Sequence, residues 1–194
     1  AKTTLDELAM GGSGTTGHLG TTFNPYDKQH EHLIGGSSCG SASSVAASVV
    51  PFALGSDTGD SVRKPASYAG LVGFKPTWGR ISRLGLFPFA TSLDHVGYFT
   101  RSVYDAAHLL NLLAGRDVED ATSSDIPVDD YAKLLNTDIK GVKIAIIKEI
   151  VDSIYDKSIN AAFQKTIASL KIRGAKVEYV SIDRKLLGAL FPTY

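Results

Sequence analysis

Apolar positions in this chain recur with two periods, and the changes between them mark out its elements. Ser41 to Val50 is a run of small residues, with Ala42, Val45, Ala46 and Ala47 among serines. It predicts a helix that can pack closely against other backbone. Phe52, Ala53 and Leu54 predict a short buried strand, Gly55 to Asp60 a loop, Ser61 to Tyr68 a short helix, and Leu71 to Phe74 another strand. Val103, Ala106, Leu110 and Leu113 are spaced by threes and fours behind Ser102 and Asp105, an S-x-x-D capping signal, and Gly115 is placed to end that helix. A polar connection over 116–138 leads to a β-branched strand, Val142 to Ile147. Ile159, Phe163, Ile167 and Leu170 then trace one helical face ended by Gly174, and Val177 to Val180 reads as the next strand. Strand–helix–strand with a connection of this length predicts a parallel, right-handed unit. The class is α/β, without internal repeats or low-complexity tracts.

Composition narrows the partners more than the fold. The 194 residues carry 20 Lys+Arg against 20 Asp+Glu, so no bulk charge recruits nucleic acid or an anionic membrane. At 43% hydrophobic and 21% charged, the chain can build a core without disulfides or metal. Cys39 is the only cysteine, which favours a reducing, cytoplasmic setting, and no apolar run has the length of a membrane span. The chain opens at Ala1, has its only methionine at Met10, and closes on Leu186, Leu187, Leu190 and Phe191. An apolar end of that kind leads to the expectation of a piece of a longer chain.

Residues 35–62 hold only two charged side chains, Asp57 and Asp60, and two serine loops at predicted helix starts. Gly35 to Ser41 is the first and Gly55 to Ser61 the second. Either loop can aim several backbone N–H groups at one point, which suits an anion or a developing oxyanion. A serine there can attack a carbonyl whose oxygen those amides hold. A single loop of this composition would read as a turn and helix cap; two so close together favour chemistry. Gly36 to Gly40 also fits the G-x-S-x-G nucleophile elbow with Ser38 as nucleophile, although the preceding Asp27 to Ile34 is too polar for its buried strand. That reading requires a partner histidine, His95 or His108. Ser61 to Lys64 fits S-x-x-K, without the companion motifs of β-lactamases. His30 and His32 flank Glu31 in a polar loop and read as solvated surface, so no metal is expected.

The run GGSSCGSASSVAASVVPFALGSDTGDSVRKPASYAGLVGFKPTWGRIS, Gly35 to Ser82, resembles the signature segment of the amidase signature family. The flanks AKTTLDELAMGG, GLFPFATSLDHVGYFTRSVYDAA and GRDVEDATSS are similar to the members that serve tRNA-dependent amidotransferases. The resemblance implies a mixed, largely parallel sheet with helices on both faces. Residues 1–194 would then be the central part of a single amidase domain, truncated at both ends. It also implies a Ser–cis-Ser–Lys triad, in which Ser61 matches the acyl-forming nucleophile and Ser37 the bridging serine in a cis peptide. Thr58, Gly59 and Asp60 match the oxyanion donors, and Ser38 a supporting position. The family's lysine would lie upstream of Ala1 and its glutamine-recognising groups beyond Tyr194; Lys2 and Lys64 match neither. Asp60 stands where the pattern usually has glycine, and Cys39 replaces another.

The implied activity is glutamine hydrolysis through an acyl-serine. The ammonia would pass to partner subunits of the B and C types, which use ATP and Mg to amidate misacylated Glu-tRNA(Gln) or Asp-tRNA(Asn). No cofactor is implied for this chain itself. Two alternatives stay open: a stand-alone amidase for small carboxamides, and a catalytically silent fragment. The 194 residues by themselves are expected to be weakly active or inactive.

Overall fold

A computed structural model describes residues 1–193, without the side chains of residues 190, 191 and 193. They form two compact units, Ala1–Leu135 and Asn136–Tyr194. No described helix is long and apolar enough to cross a membrane.

In the first unit the nearly uncharged segment folds into α1 (Cys39–Ala46), β1 (Ala53–Asp57), α2 (Arg63–Tyr68) and β2 (Val72–Phe74). A third strand, β3 (His95–Thr100), lies between β1 and β2 and is antiparallel to both. Its register sets Phe99 opposite Ala53, His95 opposite Asp57 and Tyr98 opposite Phe74. This sheet therefore corrects the expectation of a largely parallel one. His95 and Gly97 interrupt the apolar positions of β3, so periodicity predicts no strand there. Pairing with β3 also draws Gly55, Ser56 and Asp57, predicted as loop, into β1.

Successive β3 side chains point to opposite faces, and this alternation builds two cores. Phe99, fully buried, packs with Val45 and Ala46 of α1 and with Val62 and Ala66. Tyr98, also fully buried, packs with Ile81 and with Ala106, Leu109 and Leu110 of α3 (Val103–Leu113). Its hydroxyl donates to the Ala106 carbonyl at 2.6 Å, and burial pushes the phenol pKa up. Helices thus cover both faces. Ser102 caps α3 as predicted, its Oγ accepting from the Asp105 N–H at 3.0 Å. Arg80 ties down the polar connection, donating to the Tyr131 hydroxyl at 2.9 Å and to the carbonyls of Ile126 and Pro127.

The second unit contains β4 (Lys143–Ile147), α4 (Lys148–Val151), α5 (Lys157–Ile172), β5 (Lys176–Val180) and α6 (Arg184–Thr193). β4 and β5 pair in parallel, with Ile144 opposite Val177, as the strand–helix–strand pattern predicts. Asp156 caps α5 by accepting from the N–H groups of Ser158 and Ile159, and Ile167 of the predicted apolar face is buried. Of the apolar run near the end, Leu186 is exposed; the side chains of Leu190 and Phe191, and Tyr194, lie outside the described residues.

β1 passes into α2 through a short turn, and a fully buried carboxylate closes it. Asp57 Oδ2 accepts from the N–H groups of Val62 at 3.0 Å and Arg63 at 3.2 Å. The Arg63 guanidinium forks onto the same carboxylate, with Nε 3.2 Å from Oδ2 and Nη2 2.9 Å from Oδ1. Burial pushes the Asp57 carboxyl up, but its hydrogen bonds to Arg63 and the Val62 N–H together hold it below the ordinary value of 3.8.

Two outcomes follow for stability. Phe99→Ala should cost about 3–5 kcal/mol in chemical denaturation, from lost burial plus the cavity left between α1 and the sheet. A carboxyl depressed in the folded state contributes stability that is complete above its unfolded value, and that is lost as pH falls through the folded one. Asp57→Asn should therefore destabilise the chain by about 1–3 kcal/mol at pH 7 and flatten the loss of stability below about pH 4. Parallel acid titrations of the two proteins by circular dichroism read this difference.

Candidate active site

The two serine loops meet. The first precedes α1 and the second joins β1 to α2, and the Ser38 N–H donates to the Ser61 carbonyl at 3.2 Å. Ser37 is fully buried and Ser61 is 6% exposed. The Gly36–Ser37 peptide is cis. Ser37 Oγ is buried and has no hydrogen-bond partner among the described residues. A hydroxyl in that state costs free energy unless a neighbouring group completes it when the site works. Ser38 is different: its Oγ donates to the Ser56 carbonyl and accepts the Ser56 N–H, both at 3.2 Å. Those bonds use Ser38 to fasten α1 to β1, which removes the support for a nucleophile elbow there. Buried Cys39 belongs to the apolar core beneath α1.

The turn between β1 and α2 is held from behind. Thr58 Oγ1 donates to Asp94 Oδ1 at 2.6 Å, and Asp94 also accepts the N–H groups of Phe89 and Ala90. The Gly59 carbonyl accepts from the Arg63 guanidinium, and the Asp60 carbonyl from the Lys64 N–H at 2.8 Å. These bonds occupy carbonyls and side chains, while the N–H groups of Gly59 and Asp60 donate to no acceptor among the described residues. Unengaged backbone donors just before a serine in the chain are of the kind an oxyanion requires. Asp60 is not in the left-handed region, so a residue with a side chain is unstrained there. Its carboxylate pairs with Lys64 Nζ at 3.1 Å.

Three aspartates that sequence reasoning passed over build this arrangement. Asp57 closes the turn and Asp94 anchors Thr58. Fully buried Asp6 accepts from Gly14 N and Thr16 N at 3.0 Å each and donates its own N–H to the Ser37 carbonyl at 3.0 Å. A Cβ on Gly36 would fall 2.0 Å from Asp6 Oδ2, so only glycine lets the N-terminal loop close over the first serine loop. One signal was available for Asp57, a carboxylate in an otherwise almost uncharged window. Asp6 and Asp94 lie far from that window in sequence and had none.

The other candidates fall elsewhere. His95 Nδ1 lies 2.6 Å from the Leu93 carbonyl and Nε2 lies 3.1 Å from Lys75 Nζ; desolvation pushes both groups' pKa values down. His108 stacks edge-on with Tyr104 and His30 tilts against Phe23. His32 bonds to Asp27 at the surface. No three His, Cys, Asp or Glu side chains converge as metal ligands among the described residues. A cavity of about 790 Å³ opens beside Ser38 and Ser56, with Leu5, Leu54 and Phe87 in its wall, but Ser37 and Ser61 do not line it.

Known proteins share the sequence and fold of this chain. The amidase family profile matches residues 1–189. The A-type subunit of glutamyl-tRNA(Gln) amidotransferase from Staphylococcus aureus (strain bovine RF122 / ET3-1) is 47% identical over 193 residues, covering 100% of this chain and 39% of the relative. The crystal structure of the A-type subunit of glutamyl-tRNA(Gln) amidotransferase from Thermotoga maritima superposes with a TM-score of 0.87 at 45% identity, over 92% of this chain and 39% of that one. An amidase family protein from Bacillus anthracis gives 0.80 at 34% identity, over 92% of this chain and 37% of that one. The chain thus spans about two fifths of the length of these relatives. On the matched profile and the close relatives, this chain belongs to the amidase family.

Proposed function

We propose that the protein containing this chain is the glutamine-hydrolysing subunit of a tRNA-dependent amidotransferase, with Ser61 as nucleophile and Ser37 as proton relay. The observation that carries the reading is the joining of the two serine loops, with the Ser37 hydroxyl buried and unpartnered among the described residues in one and the Gly59 and Asp60 N–H groups unengaged in the other. Ser61 Oγ adds to the carboxamide carbon while its proton passes to Ser37. The oxyanion rests on the N–H groups of the Thr58–Asp60 turn. Collapse breaks the C–N bond, the relayed proton leaves with the nitrogen as ammonia, and a glutamyl ester remains on Ser61. Water then hydrolyses the ester to glutamate, with the proton returning along the same path. The family resemblance implies that the base for the relay is a lysine outside residues 1–194; Lys64, one turn after the nucleophile, is paired with Asp60.

Ammonia then serves partner subunits of the B and C types, which hold ATP and Mg and amidate Glu-tRNA(Gln) or Asp-tRNA(Asn). The names of the relatives support that assignment, and the balanced charge of the chain suits a subunit that leaves the tRNA to its partners. The family profile runs across both compact units, which supports placing them in one amidase domain, and the unpaired buried Cys39 suits the cytoplasm.

In the complete enzyme, Ser61→Ala should abolish amidation driven by glutamine and spare amidation driven by added ammonia. Loss of both activities would sink the division of labour between subunits. Ser37→Ala should lower the glutaminase kcat by about 10²–10⁴-fold with a small change in KM, measured as glutamate release. Glutamine or carboxamide hydrolysis by the full chain without partner subunits or tRNA would favour the stand-alone amidase instead.

A further inference from the structure

The residue before the proposed nucleophile carries a negative charge, in a loop whose task would be to receive a second one. Asp60 is half-exposed and its carboxylate lies 3.1 Å from Lys64 Nζ, one helical turn along α2. Exposed i,i+4 pairs of this kind contribute little to folding stability. Their geometry still determines where the charge sits, and here that position bears on the reaction. A free Asp60 carboxylate turned toward a developing oxyanion would oppose it, by a repulsion that solvent damps at a half-exposed group but does not remove at a few ångströms. The contact with Lys64 ties the carboxylate to the first turn of α2.

A second observation shows how the ammonium itself is placed. A Cβ built on Gly12 would fall 2.6 Å from Lys64 Nζ. Gly12 thus leaves a notch for the lysine head, and a side chain at position 12 would displace this flexible end of Lys64. The loop is fastened to the first serine loop by Asp6, so the notch and the site are parts of one construction.

We infer that Lys64 is a positioning residue: seated against Gly12, it holds the Asp60 carboxylate away from the oxyanion site next to Ser61. The inference rests on the reading of Ser61 as nucleophile, but not on glutamine being the substrate.

The test uses the full-length enzyme and two readouts: glutaminase kcat and KM, and the rate at which a fluorophosphonate labels Ser61. Lys64→Met should lower kcat and the labelling rate about tenfold, with KM within about twofold, because charge is misplaced without loss of the binding surface. Adding Asp60→Gly to that variant removes the carboxylate and keeps its N–H, and should recover most of both rates. Gly12→Ala, which leaves both charged partners in the chain, should lower both rates in the same direction by a smaller factor. Lys64→Met rates within twofold of the unsubstituted enzyme would overturn the proposal. So would a double variant no faster than Lys64→Met alone, the result expected of a merely structural lysine. Labelling that follows the predicted order in an enzyme that does not hydrolyse glutamine would uphold the positioning role and reject glutamine as the substrate. Absence of label on Ser61 in the unsubstituted enzyme would reject both.

Discussion

A buried carboxylate that must be fully hydrogen-bonded is the constraint on which the candidate site depends. Asp57 has no access to water, and at that position an ionised group persists only if donors surround it. The donors are two N–H groups at the start of α2 and the Arg63 guanidinium, all from the segment just after Ser61. Satisfying Asp57 therefore forces the chain to turn sharply between β1 and α2. The carbonyls of Gly59 and Asp60 are then turned to Arg63 and Lys64, and the N–H groups of the same residues are left over. Two unengaged backbone donors and a closed turn are here two consequences of one electrostatic requirement.

A similar requirement operates at the first loop. Asp6 satisfies its carboxylate with the backbone of residues 14–16 and sends its own N–H to Ser37. That bond clamps the N-terminal segment over the buried serine, and Gly36 permits the close approach. Ser38, next in sequence, commits its hydroxyl to β1, so two adjacent serines do opposite work. One is consumed by structure, and the other is buried with no partner among the described residues. Burial without a partner is what distinguishes a candidate relay from a cap.

Charge is handled by confinement rather than by amount. Within the serine-rich window the only two acidic side chains each have a cationic partner on α2, Asp57 with Arg63 and Asp60 with Lys64. The buried pair shapes the turn; the exposed pair ties the carboxylate that precedes Ser61 to α2. Both cations lie on the first turn of the helix that follows Ser61, which couples the turn's geometry to its electrostatics.

Much of this was legible in the residues themselves. Spacing at three and four located α3 and α5, the Ser102 cap set where α3 begins, and β-branched runs marked the parallel β4–β5 pair. The Gly- and Ser-rich loops, with their unusual lack of charge, pointed to chemistry by composition, since few other compositions supply both tight turns and hydroxyls; Ser37 and Ser61 were singled out within them by the family resemblance. These are local properties, set by backbone sterics and by which face of an element avoids water. What pairs across the chain was beyond them. β3 reads poorly as a strand because glycine and histidine interrupt it, yet it divides the sheet and makes it antiparallel, because its neighbours supply the hydrogen bonds its own sequence does not advertise. Asp6 and Asp94 gain their roles only from residues far away in the chain. Ser37 differs from Ser38 only in what surrounds each hydroxyl. Sequence determined the elements and nominated the serines; tertiary structure decided which polar groups are satisfied, and a hydrogen bond between distant segments leaves no periodic trace in either of them.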